Sequence, residues 1–215
     1  MNKALDFGLY LVTDRNLAGS RSVESVIEAA VRGGVTAVQL REKALSIREF
    51  IATARRIQKI VGPRGIPLII NDRLDVALAV GAEGVHLGPK DIPYEDARRI
   101  LGHGAIVGIS VENAAQAVKA EEWDVDYLGV SPVFPTPTKT DTAAAWGLDG
   151  LRRMRKHSRH VLVAIGGIND SNAGQVLDAG ADGLAVVSAV CAAVDPEAAA
   201  RRLRKVLDLH RAKRS

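Results

Sequence analysis

Gly180-Ala-Asp-Gly-Leu-Ala-Val-Val187 joins the end of a predicted helix directly to a short apolar strand. Two other stretches repeat this arrangement with variation, Gly33-Gly-Val-Thr-Ala-Val-Gln-Leu40 and Gly81-Ala-Glu-Gly-Val-His-Leu87. Glycine is favoured where a helix ends in a left-handed residue, and a continuous apolar run is typical of a buried strand. A fourth version with fewer glycines reads Trp123-Asp-Val-Asp-Tyr-Leu-Gly-Val130. The recurrence predicts a chain built from βα units.

Eight short apolar runs qualify as strands, and a helical pattern follows each of them. They are 8–13, 37–41, 67–71, 84–87, 106–109, 127–130, 161–165 and 183–187. Continuously apolar strands that alternate with helices indicate a parallel sheet buried on both faces. Eight such units close into a barrel, and 215 residues fit the lower end of its size range. The sequence therefore predicts an α/β fold, a single (β/α)8 TIM barrel, with residues 1–215 as one catalytic domain.

Composition places the chain among ordinary globular proteins, with 47% hydrophobic and 25% charged residues. No apolar run reaches the roughly 18 residues that a membrane span needs, and the first residues lack the features of a secretory signal. We therefore expect a cytoplasmic protein without a membrane partner. The one cysteine, Cys191, stands among alanine and valine and is expected to be a buried apolar residue, not a nucleophile.

The net charge of +4 raises the question of nucleic-acid binding. Much of the basic excess lies in residues 152–159 and 201–214, at helical spacing, which is typical of solvated helix faces. Only 4% of the residues are aromatic, so a platform for stacking bases is not indicated. We expect small anionic substrates and no nucleic-acid partner.

Polar residues concentrate where the predicted strands end, which is the face that carries the active site in this fold. Gln39, Arg41 and Lys43 fall on one side of the second strand by its period of two. Two cations side by side in a barrel mouth suit a phosphate or diphosphate. The alternative is that they form internal salt bridges with Asp14 or Glu42.

Two carboxylates follow neighbouring strands. Asp72 comes after Asn71 at the end of the third strand, and Asp91 follows the fourth. Mg2+ commonly binds one or two carboxylates together with substrate phosphate oxygens, so the pair predicts a magnesium site beside the diphosphate. The alternative is that each aspartate caps the helix that follows it. His86 is expected to be an interior histidine with its hydrogen bonds satisfied.

A second anion site is predicted at the last strands. Gly166-Gly167 follows the seventh strand and Ser188 the eighth, where loops of this fold often bind phosphate through backbone N–H groups. The segment 131–141 is rich in proline and threonine and contains Lys139, so it predicts a stiff loop able to hold an anion.

Seven motifs in order along nearly the whole chain resemble the thiamine-phosphate synthase family. They are Gln39-Leu-Arg-Glu-Lys43, Ile70-Asn-Asp-Arg73, Gly84-Val-His-Leu-Gly88, Gly108-Ile-Ser110, Phe134-Pro-Thr-Pro-Thr-Lys139, Ile165-Gly-Gly-Ile168 and Val187-Ser-Ala189. The resemblance implies a Mg2+-dependent transferase that condenses 4-amino-2-methyl-5-hydroxymethylpyrimidine diphosphate with 4-methyl-5-(2-phosphoethyl)thiazole or its carboxylate.

The resemblance also implies a role for each matching residue. Those that would bind the pyrimidine diphosphate are Gln39, Arg41, Lys43, Asn71, Ser110 and Lys139, of which Arg41, Lys43, Ser110 and Lys139 would be catalytic. Asp72 and Asp91 would hold Mg2+. The thiazole phosphate would meet Thr136, Thr138, Gly167, Val187 and Ser188. One departure is that Pro89-Lys90 stands where the family usually has a glutamine after the glycine, which concerns the local loop geometry.

The implied chemistry needs no protein nucleophile, and the chain shows no Ser/His/Asp or Cys/His pattern. Diphosphate leaves the pyrimidine methylene group and the thiazole nitrogen attacks the cation that results. Two alternatives remain open at this point. A thiazole tautomerase of the same barrel type would carry a histidine after Ser110, where this chain has Val111. A sensor that binds phosphorylated metabolites without turnover would keep the same pocket.

Overall fold

Eight parallel strands, hydrogen-bonded in chain order with the last paired to the first, close into a barrel. The structure, a computed structural model, describes residues 6–136 and 144–213. The strands are β1 (Leu9–Val12), β2 (Ala37–Leu40), β3 (Leu68–Asn71), β4 (Gly84–Leu87), β5 (Ile106–Val111), β6 (Tyr127–Val130), β7 (Leu162–Ile165) and β8 (Gly183–Val186). The predicted (β/α)8 barrel is confirmed.

Helices cover the outside of the barrel. In the described part of the chain they are α1 (Val23–Arg32), α2 (Ile47–Val61), α3 (Leu74–Val80), α4 (Tyr94–Leu101), α5 (Ala114–Ala120), α6 (Gly147–His157), α7 (Ala173–Asp178), α8 (Ser188–Cys191) and α9 (Pro196–Ala212). Several of these helices begin at residues whose side chains cap the first backbone N–H groups. Ser46 and Glu49 form a reciprocal capping box at the start of α2, and the Asp195 side chain caps α9.

All eight predicted strands are present, and their ends differ from the prediction by at most two residues. The largest difference is β5, which continues to Val111 and so contains Ser110. The helix ends follow the prediction less uniformly. Gly81 and Gly180 have positive φ angles of 64° and 106°, but Gly33 is right-handed and its neighbour Gly34 has the positive φ of 101°. At that junction the left-handed residue was predicted one position too early.

Two apolar layers hold the barrel together. Alternate strand residues such as Leu9, Leu11, Val38 and Leu40 face the helices and form the outer core. The others face inward and form a smaller core, whose members are Phe7, Tyr10, Val12, Ala37, Ile69, Ile106, Tyr127, Val163 and Ala185. These described residues fill the barrel interior below the carboxyl ends of the strands.

A side chain just before each even-numbered strand bonds to the start of the preceding odd-numbered strand. The N–H group of Leu9 donates to Thr36 Oγ1 at 3.1 Å, and that of Leu68 to Glu83 Oε2 at 2.8 Å. The N–H groups of Val107 and Leu162 donate at 2.8 Å to the carboxylates of Asp126 and Asp182. These four bonds, which we call the basal staples, pair β1 with β2, β3 with β4, β5 with β6 and β7 with β8.

The basic helices have the character expected of solvated faces. Exposed arginines on α6 and α9 pair with nearby carboxylates, as Arg152 does with Asp149 and Arg202 with Asp170. Among the described residues, no helix combines the length and apolar character needed to cross a membrane.

Candidate active site

A cavity of about 280 Å³ opens at the carboxyl ends of the strands. Eleven of the thirteen predicted site residues line it: Gln39, Arg41, Lys43, Asn71, Asp72, Asp91, Ser110, Thr136, Gly167, Val187 and Ser188. Thr138 and Lys139 lie outside the described residues. Residues from seven different strand ends or loops thus meet in one space, although they are far apart in sequence.

The end of β2 supplies the two cations. Gln39 lies within the strand, and Arg41 and Lys43 follow it with their side chains in the cavity wall. Arg41 Nη1 lies 3.4 Å from Asp14 Oδ2, so one of the internal salt bridges considered as the alternative is present. Glu42 pairs instead with Arg15, at 2.7 Å. Lys43 Nζ lies 2.5 Å from Asp72 Oδ2, a partner that the sequence did not predict.

Asp72 has an unusual backbone conformation. Its φ of 62° is the one positive value outside glycine in the described ranges, and a left-handed aspartate costs about 1 kcal/mol. The Asp72 amide donates to His86 O at 2.9 Å, which anchors this conformation to β4. The N-cap of α3 is Arg73 and has no side-chain hydrogen bond, so the capping alternative for Asp72 is wrong. Strain retained without a structural benefit to the helix favours a functional carboxylate.

Asp91 lies beside Asp72 and closes a tight turn. Asp91 Oδ2 accepts from the Gly88 amide at 2.7 Å, and the Asp91 amide donates to Gly88 O at 3.2 Å. The N-cap of α4 is Pro93, again without a side-chain bond, so Asp91 does not cap that helix either. Pro89 occupies the second position of the turn, where its fixed φ is favourable. The departure at Pro89-Lys90 therefore leaves Asp91 at the cavity.

The two carboxylates have opposite electrostatic shifts. Burial acts to raise the pKa of Asp72, but the hydrogen bond from Lys43 and its positive charge outweigh burial and lower the pKa. At Asp91, burial and the adjacent Asp72 carboxylate raise the pKa. The pair is thus a concentration of negative charge that Lys43 compensates only in part. A divalent cation would complete the compensation.

On the opposite side of the cavity, two glycines bring β7 close to the segment after β6. Gly166 and Gly167 have φ angles of 105° and 65°, and a Cβ atom on Gly167 would lie 2.8 Å from Phe134 Cβ. The amide of Phe134 donates to Gly166 O at 3.1 Å. Side chains at either glycine would therefore displace the segment that leads to Thr136.

The short helix α8 begins at the cavity with Val187 and Ser188. The first amides of a helix lack acceptors within it and can bind an anion. The other end of α8 is held by Arg21, whose guanidinium donates to Cys191 O at 2.8 Å and to Ala193 O at 2.6 Å. Arg21 thus fixes the direction of the helix without entering the cavity.

A chain of polar side chains, which sequence reasoning missed, crosses the barrel among the residues that line the cavity. Gln39 Nε2 bonds to Tyr10 OH, Tyr10 OH to Tyr127 OH, Tyr127 OH to His86 Nδ1 and His86 Nε2 to Ser110 Oγ. The prediction that His86 is a satisfied interior histidine is confirmed. Tyr10 and Tyr127 stand in apolar strands, and nothing in those strands themselves distinguishes the tyrosines from core residues.

Cys191 is buried, with 1% of its surface exposed, and burial raises the pKa of its thiol to about 11. It is not among the residues that line the cavity. The prediction that Cys191 is an apolar packing residue is confirmed.

Comparison with known proteins agrees with the geometry. The family described as thiamine monophosphate synthase matches residues 9–190. A thiamine-phosphate synthase from Albidiferax ferrireducens is 58% identical over 93% of this chain and 91% of its own. A thiamine-phosphate synthase from Chloroflexus aurantiacus is 52% identical over 95% of this chain and 94% of its own. The solved structure of a thiamine phosphate pyrophosphorylase from Pyrococcus furiosus superposes with a TM-score of 0.88 at 39% identity, covering 96% of this chain and 98% of that one.

Proposed function

Because this chain belongs to the thiamine monophosphate synthase family, we propose that its cavity condenses the pyrimidine diphosphate and the thiazole phosphate named above to thiamine phosphate and diphosphate. The chain is accordingly a transferase of thiamine biosynthesis. The observation that carries the proposal is the pairing, in one cavity, of two cations and two carboxylates on one side with a glycine loop and a helix N-terminus on the other. We further propose that residues 1–215 act as one catalytic domain in the cytoplasm.

The diphosphate belongs on the side of β2 to β4. Arg41 and Lys43 supply positive charge; Arg41 is only loosely held by Asp14, at 3.4 Å, and the Lys43 side chain is 57% exposed. Gln39, Asn71 and Ser110 lie lower in the same wall and would meet the pyrimidine. Lys139, on the segment outside the described residues, would add a third cation.

Mg2+ fits the pair formed by Asp72 and Asp91. Burial and the neighbouring Asp72 carboxylate raise the pKa of Asp91, and the ammonium group of Lys43 already lies against Asp72 as a monovalent cation would. No group of three or more His, Cys, Asp or Glu side chains in the described ranges could hold a metal by itself. The two carboxylates of Asp72 and Asp91 are a donor set that Mg2+ can use when substrate oxygens complete its coordination. When bound, Mg2+ would neutralise charge on the diphosphate.

The thiazole phosphate belongs on the side of β6 to β8. Gly167, Val187 and Ser188 lie together at the cavity, and Thr136 faces them from the segment after β6. Backbone N–H groups at the start of α8 and in the glycine loop would bind the phosphate oxygens. Thr138 would join them from outside the described residues.

The residues of this chain would stabilise the charge that develops on the leaving diphosphate and would hold the two substrates in position. As the C–O bond to diphosphate breaks, negative charge grows on the leaving group beside Arg41 and Lys43, while the positive charge stays on the aminopyrimidine methylene. The thiazole nitrogen, held by its phosphate, then forms the new C–N bond. Stabilisation of developing charge and alignment of two substrates together account for catalysis without a protein nucleophile.

The direct test is to incubate the protein with both substrates, with Mg2+ or with chelator, and to measure thiamine phosphate after oxidation to fluorescent thiochrome. We expect metal-dependent product. Binding of the thiazole phosphate without product would contradict the proposal and support the sensor, and isomerisation of the thiazole phosphate alone would support the tautomerase. Position 111, where the tautomerase would carry histidine, holds a valine buried in the outer core.

A further inference from the structure

We infer that the polar chain inside the barrel fixes the tautomer of His86, and that His86 thereby directs the hydroxyl proton of Ser110 into the cavity. His86 borders the cavity, but its two ring nitrogens bond to Tyr127 and Ser110, so we treat it as a positioning residue that acts on the substrate through Ser110. For the reaction, this inference rests on the proposed function, which places Ser110 against the pyrimidine.

The chain contains four consecutive hydrogen bonds with ordinary lengths. From Gln39 Nε2 to Tyr10 OH the distance is 3.0 Å, and from Tyr10 OH to Tyr127 OH it is 2.9 Å. Tyr127 OH lies 2.9 Å from His86 Nδ1, and His86 Nε2 lies 2.8 Å from Ser110 Oγ. Gln39, Tyr10 and Tyr127 border the cavity but are at most 4% exposed, so a missing partner would leave a polar atom with little access to water.

The direction of these bonds follows from the first donor. The Gln39 amide nitrogen can only donate, so Tyr10 OH accepts from it and uses its own proton on Tyr127 OH. Tyr127 in turn donates to His86 Nδ1, which must then be unprotonated. The neutral imidazole carries its proton on Nε2 and donates it to Ser110 Oγ. Burial raises the pKa of both tyrosines, so each stays protonated and can donate its hydrogen bond to the next residue.

The reverse direction leaves a buried donor without an acceptor. If His86 Nδ1 donated to Tyr127 OH and Tyr127 to Tyr10, the Tyr10 oxygen would accept twice. Its own proton would then face no acceptor, because Gln39 and Tyr127 are its only hydrogen-bond partners within the described residues. An unsatisfied buried hydroxyl is unfavourable, so one direction is selected.

Two glycines make room for this chain. In the strand register, Gly108 pairs with Tyr127, and a Cβ atom on Gly108 would lie 2.0 Å from Tyr127 Cζ. A Cβ atom on Gly129 would approach His86 Cε1 to 3.0 Å. The ring of His86 also stacks on that of Tyr127, at 5.5 Å between centroids. The neighbouring strands are thus shaped to hold both rings in place.

The consequence is chemical selectivity at Ser110. The Ser110 oxygen accepts from His86, so the Ser110 proton points in another direction. In the part of the chain that the structure describes, that proton has no protein acceptor. In the cavity the hydroxyl is a donor. It would therefore select a substrate atom that accepts, such as a ring nitrogen or a phosphate oxygen, and would disfavour an amino group at that place.

The tautomer can be measured without substrate by 15N NMR of the histidine side chains, with the His86 signals assigned by their loss in His86→Gln. We expect the wild-type protein at pH 8 to show His86 protonated on Nε2. Gln39→Glu replaces the first donor by an acceptor of the same shape, which should reverse every bond and move the proton to Nδ1. Tyr10→Phe interrupts the chain, so adding Gln39→Glu to it should leave the tautomer unchanged.

The inference is overturned if wild-type His86 is protonated on Nδ1, if Gln39→Glu leaves the tautomer as it was, or if its effect persists in the Tyr10→Phe background. Persistence would mean that the new carboxylate acts through space. None of these outcomes depends on thiamine phosphate formation, so they are independent of the proposed function.

Kinetics test the role of the chain in the reaction. Tyr127→Phe keeps the ring and removes one oxygen, and we expect kcat/KM to fall about two- to tenfold, the range of one neutral hydrogen bond. In a Ser110→Ala background the same change should alter kcat/KM by less than about twofold, because the effect passes through Ser110. Additive effects would overturn the inference, as would an unaltered rate in Ser110→Ala. Melting temperatures of all variants control for folding.

Discussion

Asp91→Asn should weaken the binding of Mg2+ while leaving the fold as stable as before, or slightly more so. The Asp91 carboxylate accepts a hydrogen bond from the Gly88 amide at 2.7 Å and is repelled by Asp72, with a smaller attraction from Lys43. Asparagine keeps an oxygen for the first and removes the charge responsible for the second. Mg2+ affinity and the stability of the fold should therefore change independently in this variant.

The size of the stability change follows from the exposure of Asp91, and that of the affinity change follows from the number of protein ligands to Mg2+. Asp91 is only partly buried, so relief of the repulsion is screened and should stabilise the fold by about 0.5 kcal/mol. For the metal, one of two anionic protein ligands is lost. Changes in outer groups around metal sites already cost about 10- to 100-fold in affinity, so we expect at least about tenfold, or about 1.4 kcal/mol.

The assay measures the Mg2+ concentration that gives half-maximal thiochrome yield, together with the free energy of unfolding without metal. Asp91→Ala is the matched variant, since it loses the charge and also the acceptor for Gly88, so it should show the same metal dependence with lower stability. Asp96→Asn, on the exposed face of α4, is the control for a charge change away from the cavity. An unchanged Mg2+ requirement in Asp91→Asn would remove Asp91 from the metal site, and equal stability losses in both Asp91 variants would refute the reasoning from Gly88.

Three further predictions concern other parts of the site. Lys139→Ala should lower turnover by about 10- to 1000-fold, as loss of one charge-stabilising donor does, and near-normal turnover in the thiochrome assay would exclude that role. Gly167→Ala should lower the melting temperature and raise KM for the thiazole phosphate, because its φ of 65° and the nearby Phe134 oppose a side chain; Gly174→Ala in α7, where the nearest atom is 3.9 Å away, should not. Cys191 should resist thiol reagents at pH 8 until the protein is unfolded, since its thiol is buried with a pKa of about 11, and rapid labelling of the native protein would contradict this.

The sequence was sufficient for the barrel because the information is local and repeated. Each strand appears as a short apolar run followed by a helical pattern, and the hydrogen-bonded ring follows from eight such units. The grouping of polar residues at the strand ends could be predicted for the same reason. It needs only the direction of each strand and not the contacts between strands.

The relations between site residues could not be predicted, because they depend on backbone angles and on register. The contact of Lys43 with Asp72 requires the left-handed conformation of Asp72, which nothing in the sequence marks. Tyr10 and Tyr127 meet across 117 residues of sequence, and their hydroxyls become neighbours only when the barrel closes. Gly108 was the available signal for Tyr127, since a glycine inside a strand often marks the close approach of another group.

The basal staples have a consequence for how this barrel could be divided. Two of them lie within β1 to β4 and two within β5 to β8, so a cut at the exposed loop of His103 and Gly104 would break none. The first fragment would carry Arg41, Asp72 and Asp91 and the second would carry Ser110, Gly167 and Ser188. Neither half would be a complete catalyst. Complementation between the two fragments would join the diphosphate side of the cavity to the thiazole side, and recovered synthesis would report their reassembly.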